Sequence, residues 1–205
     1  RNARHFSQIP LGPLGMIVKA KNPESQVPVN TIVMNVGFQF ITANEVDRRK
    51  LLDLAVRVGV TRHTFRIMVH DYNDTLYRIP SVPDNCVMNA LEIDTSFFSQ
   101  QLPVDVIRST VMNTLVDSLA IEKSIIVDNV ADLQRSNISQ NIKNIVDFRG
   151  NSAKMLHTGS LEFSMISGRH EAPKIDVLEE DLSEKRQKVE ESLNGLRMDI
   201  QSLEG

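Results

Sequence analysis

The stretch PVDVIRSTVMNTLVDSLAIEKSIIVDN, residues 103–129, reads as a helix that runs directly into a strand. Val104, Ile107, Val111, Leu115 and Leu119 recur at steps of three and four residues, which places them along one face of a helix. Pro103 stands where a proline opens a helix, because its missing N–H would have had no partner in the first turn. Ser124-Ile125-Ile126-Val127 is a short run of β-formers with no polar alternation, the pattern of a strand buried on both faces. A short helix is predicted just beyond it, over residues 129–135.

Toward the N-terminus, Gly12-Pro13-Leu14-Gly15 is a turn signal, and Met16-Ile17-Val18 reads as the strand that follows it. Residues 31–34 and 38–41 read as short extended segments. A helix is predicted over residues 43–58, capped by Asn44, with Val46, Leu51, Leu54, Ala55 and Val58 on one face. Residues 65–69 and 87–93 read as strands on either side of a turn-rich stretch, residues 72–85, that contains Pro80 and Pro83. Toward the C-terminus, strands are predicted near residues 145–148, 153–157 and 161–166. Helices interspersed among strands without strict alternation give an α+β fold with mixed sheets, in two lobes that meet near residues 80–90.

The last segment follows a different rule. Ile175, Leu178, Leu182, Val189, Leu193, Leu196, Ile200 and Leu203 are separated by three, four, seven, four, three, four and three residues, a heptad-like seam with charged residues around it. A helix over this span would be about 44 Å long. Two readings fit the seam: a helix folded back on its own globule, or one strand of a coiled coil whose second strand lies elsewhere. Gly195 weakens such a helix by about 1 kcal/mol relative to alanine.

Charge divides the chain in the same place. After residue 170 there are ten acidic and five basic residues, so sixteen acidic and eighteen basic ones precede it. The globular part is mildly basic and the tail acidic, short of the excess that alone announces a nucleic-acid binder. No window is long and apolar enough for a membrane helix. Arg1 opens the chain with no basic-then-apolar leader after it, and the sequence reads as a piece of a longer protein. Cys86 is the only cysteine, so an intrachain disulfide is excluded and a reducing compartment is expected, with Cys86 a small buried hydrophobe.

No motif for catalysis emerges from the sequence. There is no Gly-x-x-x-x-Gly-Lys-Ser/Thr phosphate loop, the five histidines have no metal-ligand spacing, and no cysteine cluster supports them. His70-Asp71 could suggest a base and its orienting carboxylate, and Glu92 with Asp94 share one face of a strand. Both read more simply as solvated or turn residues, so no catalytic, cofactor-binding or metal-ligating residue is assigned and no cofactor is expected. The alternative class is a small α+β enzyme with an appended dimerising helix.

Basic residues are more informative. Arg48, Arg49, Lys50, Arg57, Arg62 and Arg66 fall within nineteen positions, against the single acid Asp53, which could pair with Arg49 at i, i+4. They read either as the solvated face of a helix or as a surface that tracks a DNA backbone by salt-dependent phosphate contacts. Arg169, His170 and Lys174 form a second set where the last lobe meets the seam helix. Tyr72 and Tyr77, in the turn-rich stretch, are the aromatics expected to be exposed for base stacking.

Several of these features occur in a fixed order. Gly12-Pro13-Leu14-Gly15 leads to a strand; Ala90-Leu91-Glu92-Ile93-Asp94 comes mid-chain; Thr114-Leu115-Val116-Asp117, Ile121-Glu122-Lys123 and Ser124 to Asn129 follow; Ser160-Leu161-Glu162-Phe163 precedes the seam. In that order and spacing the chain resembles the hinge of structural maintenance of chromosomes (SMC) proteins over nearly all of residues 10–205. Within that family the resemblance is nearest the eukaryotic DNA-repair branch, on the side of the member numbered six, which pairs with the member numbered five. The resemblance implies residues 1–9 as a remnant of an arriving coiled-coil strand or linker, 10–85 and 86–172 as the two hinge lobes, and 173–205 as the coiled-coil helix. It also implies a heterodimer with the partner subunit's hinge, partly through paired strand edges, together with single-stranded DNA binding. No small-molecule substrate, a nuclear chromosome-associated setting, and ATPase heads elsewhere in the full-length protein complete what it implies.

Overall fold

Gly12 fixes how the chain enters the fold. Its φ is +137°, and a Cβ there would lie 2.8 Å from the Gln39 carbonyl oxygen and 3.0 Å from the Phe40 Cα. Only glycine lets the two backbones run this close. Leu11 and Ile41 exchange both backbone hydrogen bonds, at 2.9 and 2.8 Å, and the Gly15 N–H donates to the Gly37 carbonyl at 2.9 Å. A computed structural model describes residues 6–60, 66–133, 138–139 and 141–165. These all belong to one compact unit, Arg1–Ala172. Arg62, Arg169, His170, Lys174 and the whole seam from Ile175 to Leu203 lie outside the described residues.

From Gly12 the chain makes one helical turn, α1 (Leu14–Ile17), and then a short strand, β1 (Val18–Ala20). The strand expected over Met16–Val18 therefore begins only at Val18. Leu14 and Ile17 are both buried, three residues apart, as one turn of helix requires. The extended segment expected over Thr31–Met34 is also helical. Here α2 (Gln26–Val33) and a 3₁₀ turn (Met34–Val36) bury Val29, Ile32, Val33 and Val36 at three- and four-residue spacing. Helical periodicity overrode the β-propensity of Thr31, Ile32 and Val33.

Strand β2 (Gln39–Thr42) pairs in parallel with β3 (Arg66–Val69), Gln39 opposite Arg66 and Thr42 opposite Val69. Parallel neighbours need a crossover, and helix α3 (Glu45–Arg57) lies between them in sequence. Asn44 caps α3 as expected, its side chain accepting from the Asp47 N–H. The inward face matches the expected one only in its later part: Ala55 is buried and Leu51 and Leu54 are half-buried, but Asp47 is buried as well, whereas Val46 is 62% and Val58 75% exposed. Of the span 87–93, only β4 (Leu91–Ile93) is extended; α4 (Val87–Ala90) is a helical turn. β4 lies antiparallel to β1 with Val18 opposite Ile93.

Helix α5 (Val104–Leu119) follows Pro103 as the spacing predicts, and Ile107, Val111 and Leu115 are fully buried. It ends at Ala120 in the left-handed region, φ 50°. The helix also buries polar side chains, which serve the irregular stretch beside it. Asn113 accepts from the Tyr77 N–H and donates to the Thr75 carbonyl, both at 2.9 Å, and Ser109 donates to the Asp74 carbonyl. A loop packed on a core needs such partners for its backbone.

After the 3₁₀ turn Ile121–Lys123 comes β5 (Ser124–Val127), then the 3₁₀ turn Val130–Asp132, β6 (Asn144–Asp147), β7 (Ser152–Met155) and β8 (Leu161–Ser164). These four strands form one sheet in the order β5-β6-β7-β8, with the first pair parallel and the other two antiparallel. The larger core draws Leu11, Val29 and Ile41 together with Leu91, Leu115 and Val146, so residues on both sides of position 85 share it. A smaller core of Val130, Ile142, Ile145 and Ala153 covers part of the other face of the sheet.

Tyr72, expected to be exposed, is half-buried against the larger core. Its hydroxyl accepts from the Leu11 N–H at 3.2 Å and faces the carbonyls of Ile9 (3.0 Å) and Ile41 (2.8 Å). Burial pushes its phenol far above the ordinary tyrosine value. Tyr72→Phe is expected to cost roughly 1–2 kcal/mol in urea unfolding, since buried carbonyls lose a donor while the ring stays in place. A variant as stable as the parent would show that this bond contributes nothing net.

Candidate interface and nucleic-acid surfaces

The outer edge of the four-stranded sheet is β8. In the β7–β8 ladder Lys154 faces Glu162 and Ala153 faces Phe163, and in the turn the Leu156 N–H donates to the Ser160 carbonyl. Antiparallel ladders alternate bonded and non-bonded pairs. Glu162 and Ser164 therefore turn their backbone groups toward β7, while Leu161 and Phe163 turn theirs outward. Among the described residues no strand pairs with that edge. Phe163 is 47% and Met165 49% exposed, so apolar surface sits beside unpaired backbone. An edge of this kind is open to another chain's strand.

The basic set on α3 is more neutralised than its sequence suggested. Arg48 donates twice to the Glu45 carboxylate, both at 2.7 Å. Arg49 turns back to Glu45 at 3.6 Å, the alternative to its expected pairing with Asp53, and Lys50 reaches Asp47 at 3.4 Å. The hydrogen bond from Arg48 holds the Glu45 carboxyl below its usual range. The partners, Glu45 and Asp47, stand just upstream of the basic run, in the first turn where carboxylates favour the helix dipole. Arg57 and Arg66 are exposed, with no ion pair among the described residues. Tyr77 is exposed as expected, and its hydroxyl donates to Asp117 at 3.0 Å.

The acidic and histidine candidates have structural partners. His70 turns Nδ1 to the backbone carbonyl of Asp71, not to its carboxylate, and its Nε2 lies 3.3 Å from Asp117. Asp94 accepts from the Ser96 hydroxyl and N–H and pairs with Lys19 at 2.9 Å, contacts that pull its carboxyl down to about 2. Glu92 is exposed on β4. Among the described residues no three His, Cys, Asp or Glu side chains are grouped to hold a metal. Cys86 is buried and donates to the Ile121 carbonyl, and burial pushes its thiol up.

Two buried carboxylates, Asp47 and Asp147, lie outside every candidate set read from the sequence. Asp47 accepts from the Ser7 N–H and hydroxyl, the Gln8 N–H and Asn44 Nδ2, tying the start of the described chain to α3. Asp147 accepts from the N–H groups of Val130, Arg149 and Asn151 and from Asn151 Nδ2, closing the β6–β7 turn. Signals existed for both: a cap residue three positions before an acid at Asn44–Asp47, and the Asp-x-x-Gly-Asn turn at residues 147–151.

Solved structures of low sequence identity share this architecture. The S. pombe Smc5/6 hinge domain matches with a TM-score of 0.61 and 19% identity, covering 83% of this chain and 61% of that one. An asymmetric dimer of the Geobacillus stearothermophilus SMC hinge domain matches with a TM-score of 0.54 and 11% identity, over 96% of this chain and 74% of that one. The fold is the α+β fold of an SMC hinge domain. In sequence, the chain is similar to structural maintenance of chromosomes protein 6 of Takifugu rubripes, 28% identical over 137 residues. That match takes in 63% of this chain and 11% of the Takifugu protein, so the chain spans a small part of its relative's length. No family model matches. The resemblance read from the ordered motifs, to a hinge of the SMC6 type, is borne out.

Proposed function

We propose that this chain is the hinge of an SMC6-type protein and pairs with the hinge of the other subunit of a Smc5/6 heterodimer. The observation that carries the reading is the edge of β8 in a chain with an SMC hinge fold, its backbone unpaired among the described residues beside exposed Phe163 and Met165. A partner strand along this edge would satisfy the outward groups of Leu161 and Phe163 and cover apolar surface in the same step. The module does no chemistry of its own. It joins two SMC arms in chromosome maintenance and DNA repair in the nucleus, while ATP hydrolysis belongs to heads elsewhere in the protein. The seam from Ile175 to Leu203, which lies outside the described residues, is proposed as the coiled-coil strand that leaves the hinge. Mixing the chain with a folded SMC5-type hinge should give, by light scattering, the mass of a one-to-one complex. Two unchanged monomer masses would overturn the reading.

The hinge also binds single-stranded DNA through its basic surface. Because Arg48 and Arg49 pair with Glu45 and Lys50 with Asp47, most of the phosphate contact among the described residues of this set falls to Arg57 and Arg66; Arg62, Arg169 and Lys174, the remaining candidates, lie outside the described residues. Arg57→Glu combined with Arg66→Glu should weaken binding of an oligothymidylate. It should also lower the slope of log K against log salt by about 1.4, roughly 0.7 for each lost phosphate contact. An unchanged slope would remove these two arginines from the site.

A further inference from the structure

Beside the four-stranded sheet lies an open groove of about 1560 Å³. Small-ligand pockets run to about 1,000 Å³ and enclose their occupant, so an open groove of this size suits a segment of a macromolecule. Its apolar lining includes Leu119, Met155 and Leu156, the last exposed. Lys143, Lys154 and His157 supply the basic side. Among the described residues neither lysine has an ion pair, and Glu162, across the ladder from Lys154, does not close one. The acid in the lining, Asp117, already accepts from Tyr77 and faces His70.

We propose that this groove docks a short acidic amphipathic segment of a partner protein, with its apolar side chains on the floor and its carboxylates on Lys143 and Lys154. This goes beyond hinge pairing and does not depend on it. Charge complementarity selects an acidic occupant. Among the described residues no Phe, Tyr or Trp lines the groove and its one ring is the imidazole of His157, while Ile32, Leu119, Ile142, Met155 and Leu156 give it an apolar floor. Such a floor favours the side chains of a peptide over a nucleic-acid strand, whose bases need a wider stacking platform.

The test uses the 205-residue chain and three fluorescent probes. One is a peptide of roughly fifteen residues with leucines at i, i+3, i+4 and i+7 and glutamates elsewhere. The second has the same composition scrambled, and the third is an oligothymidylate. The patterned peptide should bind at least about fivefold more tightly than the scrambled one. Lys143→Glu with Lys154→Glu should weaken it about tenfold, with an unchanged thermal melt. If the double reversal unfolds the chain, Lys143→Gln with Lys154→Gln takes its place and should weaken binding about threefold. Equal binding of the two peptides, or indifference to the lysines, would overturn the proposal. So would lysine-dependent binding of the oligothymidylate alone, which would make the groove a nucleic-acid site.

Discussion

A Gly12→Ala chain is expected to lose about 4 kcal/mol of stability. Two costs combine. At φ +137° an L side chain is strained, at roughly 1–3 kcal/mol. The new Cβ would also stand 2.8 Å from the Gln39 carbonyl and 3.0 Å from the Phe40 Cα, backbone atoms that move only if β2 moves. Overpacking against such neighbours costs roughly another 1–3 kcal/mol. Gly59→Ala separates the two terms, because Gly59 has φ +81° but nothing within 4 Å of its Cβ position. That variant pays only the conformational term, about 1 kcal/mol. Urea unfolding of both checks the argument, and equal losses would show that the approach of Gly12 to β2 is not what the glycine is for.

Asp47→Ala is expected to cost about 3 kcal/mol, or roughly 6–12 °C in melting temperature for a chain of this size. The variant strands the amides of Ser7 and Gln8 and the side chain of Asn44 beside a cavity where a carboxylate had been. Burial alone would push the Asp47 carboxyl up; the hydroxyl and amide of Ser7, the Gln8 amide and Lys50 outweigh it and hold the group below its usual range. A carboxyl whose folded value is depressed stabilises the fold fully above its unfolded value, near about 3.9. That contribution is lost as pH falls through the lower folded value. The stability gap between the parent and Asp47→Asn should therefore be widest at neutral pH and should close below about pH 4. A gap that is constant with pH would mean that the carboxylate acts by shape and not by charge.

What could be read from the sequence depended on how many residues carried each signal. The sixteen residues of α5 repeat their apolar positions through four turns, and Pro103 marks their start, so the helix was legible to the residue. β5, β2 and β8 were legible from short runs of β-formers between turns. One-turn elements were not, because α1 and α4 give a single i, i+3 pair that a strand reading accommodates equally well. On α3 the apolar residues gave the inward face only from Leu51 to Ala55. The inward position near its start is taken by Asp47, a charge that sequence patterning assigns to solvent, and Val46, one position earlier, is turned outward. Tyr72 shows the same limit, since only the meeting of residues 9, 11 and 41 makes its hydroxyl a buried junction. The α3 arginines and lysine were found, but not their partners. Glu45 and Asp47 lie one turn upstream and were left out of the charge count.

The proposed pairing is tested most directly by amide hydrogen exchange on β8, with and without a folded SMC5-type hinge. The account predicts that the outward-facing amides of Leu161 and Phe163, fast in the lone chain, become strongly protected in the complex, while those of Glu162 and Ser164, already turned toward β7, change little. A complex that forms and leaves Leu161 and Phe163 exchanging as fast as before would contradict it, and would place the contact between the two hinges on some other surface.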